Sequence, residues 1–292
     1  MKTREVERIV APNPPHFVGD GFRVHNFIPS IPGIGMHRMN PIIMLDYNSK
    51  FYFEPSDKPK GVGVHPHRGF ETVTIAYHGK ISHHDSAGGG GTIEQGGVQW
   101  MTAGSGVLHK EYHEKEFSKK GGDFQMVQLW VNLPAKHKMT QPKYQAIDKH
   151  SLSTYMLDDS KGHLDIIAGE YKSVKGPAET FTEIHLYNLT IKKSGKIRFD
   201  FPKHFHTALL AINGNVMVNA DELKQDHFCL MDCKGEHFDV SCQDDEATVL
   251  IMSGEPINES IAAHGPFVMN TKDELVQAMQ DFENGKFGVL EE

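Results

Sequence analysis

The chain has 292 residues, 38% hydrophobic and 23% charged, with 28 glycines; that is the balance of a soluble globular protein with room for two modest cores, and it excludes disordered and fibrous classes. Thirty Lys and Arg against 38 Asp and Glu give a net charge of −8, which offers no general attraction to nucleic acid or to an anionic membrane. The N-terminal MKTREVERIVAP has no apolar signal core, and no run approaches the roughly 18 apolar residues of a membrane span. With Cys229, Cys233 and Cys242 read as reduced core thiols, a cytoplasmic protein is expected.

In chain order, the first half reads as strands between glycine-rich turns. In GVGVHPHRGFETVTIAYHG, residues 61–79, Val73, Ile75 and Tyr77 alternate with Thr72, Thr74 and Ala76 at the strand period of two. SAGGGG and QGG punctuate the run, and DFQMVQLWVNLP supplies a strand ending at Pro134. His83, His84 and Asp85, just before the tetraglycine, are read as a surface loop. The polar stretch AKHKMTQPKYQAIDKHS shows no sustained period and suits a connection, which places a boundary near residue 140. A second strand-rich set follows, from TEIHLYNLTI to EATVLIMSGEP. TKDELVQAMQDFENG is an amphipathic helix over 271–284, with a capping box from Thr271 to Glu274, an apolar set of Leu275, Val276, Met279 and Phe282, and Asn284-Gly285 as its stop. Several short strands at close spacing point to barrels or sandwiches.

His65 and His67 sit at i and i+2, so on a strand both imidazoles project to one face, with Pro66 as a rigid spacer. Downstream, His109 and Glu111 stand in the same relation around Lys110. Two such pairs on neighbouring strands give three imidazoles and one carboxylate. Borderline nitrogen donors with one hard oxygen suit Fe(II), Mn, Co, Ni, Cu or Zn better than Ca or Mg. A four-ligand set leaves two positions open on an octahedral ion, as a reactive centre requires. His113 is read as solvent-facing or hydrogen-bonded, and His204 and His206 repeat the first pair without a following His-x-Glu. No Walker pattern or nucleophile elbow is present.

HPHRGFETVT, HHDSAGGGGTIEQGGVQWMTAGSGVLHKE and GEPINESIAAHGPFVMNTKDELVQAMQDFENGKFG resemble the pirin family, two-domain members of the cupin superfamily, over nearly the whole chain. The resemblance implies an all-β protein of two tandem jelly-roll barrels: residues 1–140 form the metal-binding barrel, and residues 141–292 form the second barrel with the terminal helix. It implies one metal, usually iron, on His65, His67, His109 and Glu111, with Glu71 left to a strand role or to a place behind the ligands. It further implies quercetin 2,3-dioxygenase activity on a flavonol or related enol with O2. The alternative it carries is a redox-sensing regulatory module that binds a protein partner, as described for animal members. In the enzyme reading Glu111 also serves catalysis, Arg68 steers an anionic substrate, and Asp46 and Gln99 hydrogen-bond the ligand imidazoles.

Overall fold

A computed structural model describes residues 2–291. The described chain is mostly strand and divides into two compact units, and the units are not the contiguous halves expected from sequence. One is built from residues 14–37, 42–150 and 257–291; the other from 2–13, 38–41 and 151–256. Each contains a seven-stranded and a four-stranded antiparallel sheet, the double-sheet barrel that the resemblance implies.

In the first barrel, the larger sheet runs in the order Lys143–Ile147, Val98–Thr102, Phe70–His78, Gly122–Asn132, Ile42–Phe53, Phe22–Ile28 and His16–Val18. The smaller runs Gly61–His67, Val107–His113, Lys80–Asp85 and Gly90–Glu94. Thr74 of the larger sheet meets Glu111 of the smaller at 3.1 Å, so the two face each other across an interior that is partly polar. The stretch read as a connection is in part structural. Residues 143–147 add an edge strand, and the buried Lys138 ammonium donates to the carbonyls of Gly69 (2.8 Å) and Val268 (2.9 Å) and to Asn132 (2.7 Å). Charged residues are rarely buried unless paired, so polarity alone reads this segment as a connection.

The second barrel repeats the plan with Val6–Val10, Phe228–Met231, His206–Asn213, Glu246–Gly254, Ile184–Lys192, Gly162–Ala168 and Ser153–Met156 in one sheet, and Lys196–Asp200, His237–Cys242, Val216–Val218 and Asp221–Leu223 in the other. Its N-terminal strand is preceded by Arg4, which is fully buried and donates to the carbonyls of Pro202 (2.7 Å), Phe205 (3.0 Å) and Gly235 (3.1 Å). Cys229 and Cys242 are buried free thiols as expected, whereas Cys233 is exposed.

The terminal helix, Lys272–Glu283, has the expected capping box: the Glu274 amide donates to Thr271 Oγ1 at 3.2 Å, and the Thr271 amide to Glu274 Oε2 at 2.9 Å. It belongs to the first barrel, where Leu275, Ala278 and Met279 pack with Phe267, Met269, Phe287 and Leu108. Positions 275, 278, 279 and 282 follow the i, i+3, i+4, i+7 stripe; Phe282, at the helix end, keeps one side exposed while its ring centre lies 5.9 Å from that of Phe287, and Val276 falls off the stripe and is exposed. Arg68 fixes the helix polarly. Its guanidinium, 4% exposed, donates to Asp281 at 2.8 Å and to the Ser105 carbonyl at 2.7 Å, and lies 4.7 Å from the centre of the Phe287 ring. Asp281 also accepts from Lys286 and Gln277, and these donors with Arg68 hold its carboxyl well below the usual range. Asp281→Ala leaves a buried guanidinium unpaired, at a cost of about 3 kcal/mol. It is expected to lower the melting temperature and to raise amide exchange across 272–283 above that of the barrel strands; unchanged protection would mean that apolar packing alone holds the helix.

Candidate metal centre

The antiparallel pairing of Gly61–His67 with Val107–His113 sets His65 directly opposite His109, with His67 opposite Val107. Val107, His109, Glu111 and His113 are buried while the residues between them are half-buried, which is the strand period read from sequence. A bulge interrupts the ladder: Glu111 pairs with Val62, so Gly63 and Val64 stand against Lys110 alone. The bulge frees the Gly63 carbonyl to bond His65.

Three imidazoles converge. Ring centres lie 4.2 Å apart for His65 and His109, 4.7 Å for His67 and His109, and 4.8 Å for His65 and His67. One nitrogen from each lies within 4.8 Å of the others. Each Nδ1 is engaged, by the Gly63 carbonyl (2.8 Å), the Pro266 carbonyl (3.4 Å) and His83 Nδ1 (3.3 Å) for His65, His67 and His109 respectively. Nε2 of His109 is buried with no hydrogen-bond partner. Burial, reinforced by the neighbouring imidazoles, pushes His67 and His109 well below the ordinary histidine pKa, so both rings are neutral at physiological pH. Neutral rings with a free nitrogen lone pair are ligands in waiting.

Glu111 accepts from Gln128 Nε2 at 2.7 Å, from Thr74 Oγ1 at 3.1 Å and from Gln99 Nε2. With His83 and His109 it forms a second cluster of donor atoms within 4.8 Å, and with His65, Asp46 and Gln128 it lines a cavity of about 40 Å³ whose apolar wall is Val18, Phe22, Val24, Val62 and Met126. Unprotonated imidazole nitrogens with one carboxylate fit a divalent transition ion, and the orphaned Nε2 of His109 has the chemistry such an ion satisfies. Phe70 and Trp130, stacked 4.2 Å apart, wall the site beside His67.

Other expectations change. His83 and Asp85 are not in a surface loop: they are buried on the strand Lys80–Asp85, and only His84 between them is exposed. Their i, i+2 spacing matches that of the two ligand pairs and is the sequence signal for this face, although the glycines that follow point to a turn. Gln99 bonds the Glu111 carboxylate rather than an imidazole, and Asp46 accepts from Asn26 at 2.7 Å. Arg68, committed to Asp281 and buried, is not presented to a substrate. Glu71 lies on the opposite face of its strand from Thr74, bonded to Thr102 at 2.7 Å, with its other oxygen buried and unpartnered. His113 bonds the Gly21 carbonyl at 2.8 Å among Phe22, Phe53 and Phe124.

The second barrel has no such centre among the described residues. Where the first ladder sets His65 against His109, the second sets Phe199 against Phe238, and Phe199, Phe201 and Phe238 pack with ring centres 5.4 to 6.2 Å apart. His206 bonds the Asn40 carbonyl at 2.7 Å, and His204 is exposed near Glu255.

Paired double-sheet barrels, with a donor cluster in one and a phenylalanine-filled interior in the other, define a bicupin protein. The pirin family pattern matches residues 21–131 and that of the pirin C-terminal cupin domain matches 186–288; the chain belongs to the pirin family. It is 42% identical over 272 residues to a Pseudomonas aeruginosa protein named "Putative quercetin 2,3-dioxygenase", covering 93% of this chain and 94% of that one. It is 35% identical over 273 residues to a Solanum lycopersicum "Pirin-like protein", covering 92% and 88%. A crystal structure described as quercetin 2,3-dioxygenase from Acinetobacter baumannii superposes with a TM-score of 0.92 at 43% identity, covering 99% of this chain and 100% of that one. No helix among the described residues is long and apolar enough to cross a membrane.

Burial pushes the Glu71 carboxyl up from 4.5 to about 7, against the Thr102 hydrogen bond. The fold thus favours its protonated form: that contribution is fully present below pH 4.5 and is lost as pH rises through about 7. Denaturant melts across this range are expected to show stability falling with pH in the wild type, and a smaller fall in Glu71→Gln; parallel curves would mean that the carboxyl titrates as in the unfolded chain.

Proposed function

We propose that the chain is a metal-dependent dioxygenase of the quercetin 2,3-dioxygenase type, holding Fe(II) on His65, His67, His109 and Glu111 and opening the ring of a flavonol or related enol with O2. The observation that carries the reading is the convergence of three imidazoles, two of them held neutral by burial, beside a carboxylate, with one buried nitrogen lacking any partner. The names of the relatives and of the matched crystal structure support the substrate class. When bound, a redox-active divalent ion supplies Lewis acidity and one-electron chemistry with O2.

The chain's own residues do the rest. Gln99, Thr74 and Gln128 fix the Glu111 carboxylate so that it reaches the centre in one orientation. Val18, Phe22, Val24, Val62 and Met126 make an apolar wall that keeps bulk water from the donors. The cavity beside them, about 40 Å³, takes a molecule the size of water or O2. A flavonol is several times larger, so its rings meet the centre from the side on which His65 is partly exposed. That same small cavity supports a second reading, in which the four residues would hold a redox-active ion closed to substrate, whose charge would bias a surface for a protein partner.

Two measurements test these readings. His109→Ala removes one of three neutral donors and is expected to weaken Fe(II) binding at least about tenfold, as metal content after dialysis against a competing chelator; undiminished content would overturn the ligand set. Protein loaded with Fe(II) without oxygen is expected to bleach the visible absorbance of quercetin when O2 is admitted. A fully loaded protein that leaves the spectrum unchanged would remove the dioxygenase reading for that flavonol and leave the redox one.

A further inference from the structure

His109 is the one imidazole of the cluster whose orientation is not set by a peptide carbonyl. His65 and His67 each point Nδ1 at a carbonyl, from Gly63 and Pro266. A carbonyl only accepts, so those Nδ1 atoms carry the hydrogen and Nε2 keeps the lone pair. His109 Nδ1 instead meets Nδ1 of His83 at 3.3 Å, and two ring nitrogens can divide donor and acceptor roles either way.

The tie is broken one residue further out. His83 Nε2 lies 3.1 Å from Asp85 Oδ2, while Asp85 Oδ1 accepts the backbone N–H groups of Ala87 at 2.9 Å and Gly89 at 2.8 Å. We propose that Asp85 and His83 are positioning residues that set the tautomer of His109. Asp85 accepts the Nε2–H of His83, and in that tautomer Nδ1 of His83 is the acceptor. His109 donates its Nδ1–H into it and is left with a lone pair on Nε2, the atom that has no partner in the structure. Both nitrogens of His83 are then in use, so His83 stands behind the ligand set although its ring lies close enough to belong to the second cluster. His83, Asp85 and His109 are all buried, where such a chain is electrostatically strong. Tyr144 stacks on His83 at 4.8 Å between ring centres, 10° from parallel, and fixes the plane of the relay. Gly89 fits closely here: a Cβ at that position would crowd Asp85 Oδ2 and Tyr144 Cβ, while its amide donates to Asp85 Oδ1.

The proposal rests on the ligand reading above in taking His109 as a donor, and its test is made without metal so that the two can fail separately. Long-range proton–nitrogen NMR of the metal-free, nitrogen-15-labelled full chain reads each tautomer directly. His109 is expected to be protonated on Nδ1 and His83 on Nε2, with His83→Phe and His109→Ala used to assign the signals. In Asp85→Asn the two backbone N–H groups claim the side-chain oxygen, so the amide nitrogen faces His83 as a donor. Both tautomers are then expected to reverse, a hydrogen appears on His109 Nε2, and Co(II) affinity falls about 10- to 100-fold with the melting transition retained. Should that variant not fold, the wild-type spectrum alone decides. A wild-type His109 protonated on Nε2, or tautomers unmoved in Asp85→Asn, would overturn the proposal.

Discussion

The centre depends on one register. His65 opposite His109 is a pairing between two strands of a four-stranded sheet, and because strand side chains alternate, a slip of one residue would turn His65 and His67 away from His109 together. The bulge at Gly63 and Val64 is part of the same constraint. His109 and Glu111 face the interior by the alternation of their own strand, while the bulged strand opposite presents a carbonyl to His65. Much of the polar network in this barrel, from Gln99, Thr74 and Gln128 to His83 and Asp85, keeps side chains aligned to that pairing.

The two barrels show what the same ladder does with different residues. In the second, aromatic rings fill the interior and gain free energy from burial. In the first, the corresponding positions hold imidazoles whose burial disfavours the charged form and leaves one nitrogen unpaired. A fold that keeps a costly polar cluster where its twin has phenylalanine is organised around what the cluster binds, the kind of local departure from packing that marks functional sites.

Much of this was legible in the sequence because it rests on short periods. The i, i+2 spacing of HPH and HKE and the capping box at Thr271 are local rules that appear in the structure, and VTIAYH is a strand as its period suggests, although both of its faces are largely buried. What was not legible depended on partners distant in the chain. Arg68 reads as a free charge beside the ligands until Asp281 is seen to take it, 213 residues away. Gln99 and Glu111 find each other across the barrel, and Lys138 is buried because Gly69 and Val268 bring carbonyls to it. His83 and Asp85 had the right spacing, but glycine-rich neighbours signalled a turn more strongly than the alternation signalled a strand.

The first barrel includes residues 257–291, and Pro266 supplies the carbonyl that faces His67. A chain emerging from a ribosome therefore has all four candidate donors outside long before it has the segment that orients one of them. In vectorial synthesis the centre gains this carbonyl only after the whole intervening barrel has been made. A chain stopped before residue 266 presents its histidines without the Pro266 carbonyl that faces one of them.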